Sequence, residues 1–204
     1  MINIFRKQNN NLKELKPFND FFKDGINKSS FLHIYNNENI DETILISEIL
    51  NRNNDDIFIY MDCYYNLKKE LPNNTFYLNT NNIDILIDIL SNIKKKSIDY
   101  IIINGFGNLT YNEESFDKYD TRYKIINSKI SILLDLCFKN KITLIAFNSL
   151  NGLNKPACFS TQIESQCNFN AQIIAINDNI ITLESYKNTY GKNDIINISY
   201  KEVK

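Results

Sequence analysis

Residues 36 to 43, Asn36, Asn37, Glu38, Asn39, Ile40, Asp41, Glu42 and Thr43, separate a strand-like run, FLHIY (31–35), from a helix-like run, TILISEIL (43–50). A strand, an eight-residue loop and a helix in this order can wrap a nucleotide phosphate. Glycines let backbone N–H groups close on the anion, a lysine neutralises it, and a hydroxyl holds magnesium. Of these parts only the hydroxyl of Thr43 is present. All five glycines lie elsewhere, at 25, 105, 107, 152 and 191. Asp41 and Glu42 would repel a triphosphate a few ångströms away by several kcal/mol in a partly buried site. The same residues suit a different task. Asn39 is a good N-cap, and Glu42 falls three residues later, as in a capping box. Asp41 and Glu42 also place negative charge on the positive end of the helix dipole. The loop therefore reads as a self-capped helix start.

Other chemistry is thinly supplied. The four cysteines, Cys63, Cys137, Cys158 and Cys167, form no CxxC pair, and His33 is the single histidine. A structural zinc site needs closer ligand spacing than this. Cys63 and Cys137 lie in apolar runs and read as reduced core residues. Cys158 and Cys167 share a loop in which free thiols are expected. His33, inside an apolar strand, reads as a core histidine with its hydrogen bonds satisfied. Net charge is −1 over 204 residues, so no global positive field draws the chain onto nucleic acid, and such binding needs a local patch. No run approaches about 18 apolar residues, so no membrane span is expected, and the chain reads as intracellular.

The elements that must position these residues follow from the apolar periodicity. Residues 1–16 are polar and read as an N-terminal arm, with 17–204 as one core domain. Strands are expected at 31–35, 56–62, 75–79, 99–104 and 141–148. Helices are expected from 43, over 83–96 with a basic end at Lys94–Lys96, and over 122–140. Strands at 171–186 fold around a tight Asn-Asp-Asn turn, and 195–200 closes the chain. Strands alternate with helices up to residue 148, and then strands follow strands. This predicts an α/β fold: a mainly parallel twisted sheet with helices on both faces and an antiparallel C-terminal extension.

The order and spacing of these pieces from Phe18 to Tyr200 resemble the core of the RecA-type recombinase family. FNDFFKDGINKSSFLHIY resembles the family's opening, with Gly25-Ile26 at its turn. IYMD (59–62) resembles the second strand, DYIIINGFGNL (99–109) the Walker B strand and its turn, ITLIAFN (142–148) the sensor strand, and LESYKNTYGK (183–192) a late strand. The departures fall on the nucleotide site. The Walker A lysine is matched by Glu42, the Walker B aspartate by Asn104, the catalytic glutamate by Tyr64 and the sensor glutamine by Ser149. Asn36, Glu38, Asp41 and Thr43 complete this degenerate set. The resemblance thus implies a RecA-like core with no catalytic residues, no cofactor and no ATP hydrolysis.

It also implies where partners would be met. In the recombinases DNA lies against the loops that match 110–121 and 149–168 here. The first is acidic but carries Lys118, with Arg122 and Lys124 just beyond it. The second offers Asn154, Lys155, Phe159 and Gln162, which suit stacking and pairing with single-stranded DNA. Phe5 is placed to anchor an arm on another RecA-like subunit. Lys187 and Lys192 are placed to reach a neighbour's phosphate. The expectation is an accessory protein of recombination or repair, whose partner is a RecA-like recombinase or a second paralogue, with single-stranded DNA as a further ligand. Shu-type paralogues, which lack a working nucleotide site, give the resemblance a precedent. The alternative is a SulA-like inhibitor of cell division, also RecA-like without a phosphate loop, which would bind a protein and no DNA.

Overall fold

The computed structural model describes residues 12–22, 25–36, 40–65, 70–93, 98–112, 119–151, 155–156, 165–189 and 194–200. In chain order the strands are β1 (Leu12–Lys13), β2 (Ile26–Asn27), β3 (Phe31–Asn36), β4 (Phe58–Asp62), β5 (Thr75–Leu78), β6 (Tyr100–Asn104), β7 (Thr143–Asn151), β8 (Lys155–Pro156), β9 (Phe169–Asn177), β10 (Ile180–Asn188) and β11 (Ile195–Ser199). The helices are α1 (Thr43–Arg52), α2 (Ile83–Asn92) and α3 (Tyr119–Asn140). The main sheet runs β11-β10-β9-β3-β7-β6-β4-β5. All pairings from β9 to β5 are parallel, and β10 pairs antiparallel with both β9 and β11. This is the architecture expected from the alternation of elements.

Residues of β3, β4 and β6 are buried throughout, as continuous apolar runs in a sheet covered on both faces must be. On one face Leu45, Ile46, Ile49 and Leu50 of α1 pack with Leu32, Ile34, Phe58, Tyr60 and Ile102. On the other, Leu86 and Leu90 of α2 and Ile130 and Leu133 of α3 pack with Ile59, Ile101, Ile103 and Leu144. In β11 buried and exposed residues alternate, because only one face of the antiparallel extension is covered.

The packed chain begins earlier than the expected end of the arm. β1 pairs with β2, Leu15 is fully buried, and the rings of Phe21 and Phe22 each lie 5.0 Å from that of Phe169. Lys13 is paired with Asp56 and Asp99 and lies over the ring of Tyr100. Gly25, at the expected turn, has φ +83°, and a Cβ there would stand 2.8 Å from the Lys13 carbonyl oxygen. Phe5 lies outside the described residues.

Other boundaries move for local reasons. α2 stops at Asn92, so the basic end at 94–96 does not belong to its described turns, and those lysines lie outside the described residues. Its start is fixed by Asn82, whose side chain accepts from the N–H of Asp84. α3 begins at Tyr119, three residues ahead of the expected start. The Asp178-Asn179 turn has φ of 48° and 62°, the left-handed pair that a two-residue hairpin requires. Cys63, Cys137 and Cys167 are free and buried. No described helix is long and apolar enough to cross a membrane.

Candidate functional site

The parallel strands β3, β4 and β6 end in Asn36, Asp62 and Asn104, which are 3%, 0% and 0% exposed. Asp62 and Asn104 are register partners. Along each strand these residues alternate with Ile34, Tyr60 and Ile102 of the α1-side core, so all three belong to the face that α1 covers. The carboxyl ends of parallel strands beside a following helix form the crevice in which open α/β sheets bind ligands. Here that crevice is polar, buried and acidic.

The segment from β3 to α1 is shorter than the eight-residue loop read from the sequence. Asn36 completes β3 and Thr43 opens α1. The expected capping box is not formed, and Asn39, like Glu38, lies outside the described residues. Glu42 occupies the N-cap position itself, and its carboxylate turns back to the strand end. Asn36 Nδ2 donates to Glu42 Oε2 at 2.5 Å and to the Ile40 carbonyl at 2.7 Å. The cap is supplied by Asp41, whose Oδ1 accepts from Thr43 N at 3.0 Å and from Thr43 Oγ1 at 2.5 Å. A side chain two residues from the N–H it receives makes a tighter turn than a capping box, which explains the later helix start. Burial raises the Glu42 carboxyl pKa, the charges of Asp41 and Asp62 raise it further, and the bond from Asn36 opposes them.

Asp62 accepts from Tyr64 N at 3.1 Å and from Tyr77 OH at 3.2 Å. Tyr77 reaches it from β5, where it is the register partner of Tyr60. Burial, helped by the Asp62 charge, pushes the Tyr77 phenol up to about 12, so it stays a proton donor. Burial and the charges of Asp62 and Glu42 push Tyr60 higher still. Asn104 Nδ2 donates to Tyr60 OH at 3.4 Å, while Asn104 Oδ1 is buried without a hydrogen-bond partner among the described residues.

The sensor-like end of β7 takes another role. Asn148 Oδ1 accepts from Gly107 N at 3.2 Å, and a Cβ on Gly107 would approach that oxygen to 2.7 Å. The ring of Tyr64 packs on Gly105, which has φ +83°. Ser149 lies one residue on in β7, level with Asn36. Asn36, Asp41, Glu42, Thr43, Tyr64 and Asn104 are thus brought to one end of the sheet, with Ser149 placed there by register.

The expected partner-facing residues do not converge within the described structure. Arg122 and Lys124 lie in the first turns of α3, and Lys124 is exposed. Lys155 lies in β8. Lys187, on β10, directs its ammonium to the Ser165 carbonyl at 3.4 Å. Lys118, Asn154, Phe159, Gln162 and Lys192 lie outside the described residues. Sequence reading passed over Tyr60 and Tyr77 as site residues, because only the β4–β5 register shows that they border Asp62.

No protein-family model and no curated protein matches the sequence. Solved structures do. An ATPase domain of the DnaB-like helicase type superposes with a TM-score of 0.71 at 11% identity, covering 95% of this chain and 90% of that one. A DnaB-like replicative helicase, solved for its interactions with primase, superposes with a TM-score of 0.69 at 10% identity, covering 96% of this chain and 63% of that one. Identity this low speaks for the fold alone. The strand order, the helices on both faces and these superpositions together establish that the chain has a RecA-like α/β fold.

Proposed function

We propose that this chain is a noncatalytic RecA-like protein that supports recombination or repair by binding DNA, a RecA-like recombinase or another paralogue. The observation that carries this reading is the inversion of charge at the start of α1. Where the fold's nucleotide-binding members place a lysine and glycines around an anion, this chain holds Glu42 on Asn36, with Asp41 capping the helix. A second acidic side chain, Asp62, borders the same space. The pocket disfavours a polyphosphate, so activity would come from surfaces rather than from hydrolysis. Calorimetry with magnesium and ATP is expected to give no heat of binding, and a micromolar dissociation constant would refute the reading.

The accessory role itself is tested by fluorescence anisotropy with labelled single- and double-stranded DNA at low and then moderate salt. Binding that weakens steeply with salt supports a local basic patch at Lys118, Arg122, Lys124 or Lys155. The second reading, a SulA-like inhibitor that binds a tubulin-like protein, is favoured by the acidic crevice and the overall charge of −1. It predicts no DNA binding even at low salt and retention of a cytoskeletal partner in a pull-down.

A further inference from the structure

The acidic crevice has lost the chemistry of an anion site and gained that of a cation site. We infer that it receives the guanidinium of an arginine side chain presented by a protein partner; this names the contact chemistry of the accessory role proposed above and rests on it.

Three observations carry the inference. The first is charge. The positive end of α1 is equivalent to roughly half an elementary charge. Asp41 and Glu42 meet it with two carboxylates, and Asp62 adds a third close enough to act on Glu42. The crevice therefore stays negative after the helix is compensated. Among the described residues the ion pairs are Lys13 with Asp56 and Asp99, Arg52 with Glu48, and Lys129 with Asp84, and none of them reaches Asp41 or Glu42.

The second is an orphaned acceptor. Asn104 Oδ1 is fully buried beside Asp62 and has no donor among the described residues. The amide is held in place by its own bond to Tyr60 OH, and that phenol feels the charges of both Asp62 and Glu42. A buried acceptor left unmatched costs free energy that an incoming N–H would recover. A cationic donor fits the acceptor and the charge together.

The third separates a guanidinium from a metal ion. No group of three or more metal-ligating His, Cys, Asp or Glu side chains among the described residues could hold one ion. The acceptors are spread along the ends of β4 and β6 and the start of α1. A planar group with five N–H donors in a fixed fork can span such a set, where a point charge cannot.

The test is a two-dimensional NMR titration of the whole chain with N-acetylargininamide, spermidine, magnesium chloride and magnesium-ATP in turn. The expected result is saturable shifts of the amides at 42–44 and 104–107 with the arginine probe, and none there with magnesium or ATP. Glu42→Gln and Asn104→Leu, each checked by thermal melting to be folded, are each expected to weaken the probe about tenfold. No saturable shift at these amides overturns the inference, as does unchanged affinity in both variants. Equal or tighter binding of spermidine or magnesium overturns the guanidinium assignment. Failure of the accessory reading is seen separately: arginine binding with no DNA and no RecA-like partner retained would remove that reading and leave the pocket chemistry standing.

Discussion

Glu42 and Asn36 act as one unit, because a buried carboxylate is tolerable only with a donor against it. Glu42→Lys removes that acceptor and sets an ammonium against the positive start of α1. The variant is expected to lose about 1 kcal/mol of stability by urea unfolding. It should still bind no ATP, because the glycines that would let backbone N–H groups wrap a phosphate remain absent. Gly107 is constrained in a different way. Its Cβ position lies 2.7 Å from Asn148 Oδ1, closer than any ordinary contact, and its N–H donates to the same atom. Gly107→Ala is expected to cost about 1–3 kcal/mol, read as a lowered midpoint in thermal melting, and an unchanged midpoint would mean that β7 yields freely.

At the scale of elements, α1 and α2 start by the same device with different residues. Asn82 receives the N–H two residues ahead in α2, and Asp41 does so in α1. Asn82→Ala and Asp41→Ala should each cost about 1 kcal/mol in chemical denaturation, and a loss below a few tenths in either would remove its cap from the account. Asp41 was legible as an acid on a helix start. The partner it chose was not, because Asn39 and Glu42 satisfy the capping-box spacing and spacing alone cannot say which residue leads the helix. The strands were legible because β3, β4, β6 and β7 are continuous apolar runs flanked by polar turns. Asn104, Tyr64 and Asp62 were found at strand ends from the order of those runs. Tyr77 was not, since its contact with Asp62 depends on a register between β4 and β5 that no local pattern encodes. The basic stretch after α2 was misleading for a related reason. Lysines continue the polar face of a helix well, yet Ile93 already has extended backbone, with ψ 127°.

For the whole molecule, the buried histidine sets a pH dependence. His33 is fully buried in β3, and neither ring nitrogen has a partner among the described residues, contrary to the expectation of satisfied hydrogen bonds. Burial lowers its pKa from 6.5 to about 4. The unfolded chain therefore takes up a proton that the folded chain refuses as pH falls from about 6.5 to about 4. This contribution is fully present above the unfolded value, declines through that window and levels off below it. It amounts to on the order of 3 kcal/mol at about 1.4 kcal/mol per pKa unit. Urea unfolding at neutral and mildly acid pH should show the loss, and His33→Leu should remove that part of the slope. An identical slope in both proteins would refute the assignment.

The place of β3 also governs how the chain can be made. β3 ends at residue 36, yet its neighbours β7 and β9 start at residues 143 and 169. A growing chain carries this apolar strand with both edges open until most of the protein has left the ribosome, and a loop of that span closes slowly. β4, β5 and β6 can meet far sooner. Synthesis would thus yield a partial sheet first and seat its central strand last, leaving the nascent chain open to mispairing, and to capture by chaperones, for most of its elongation.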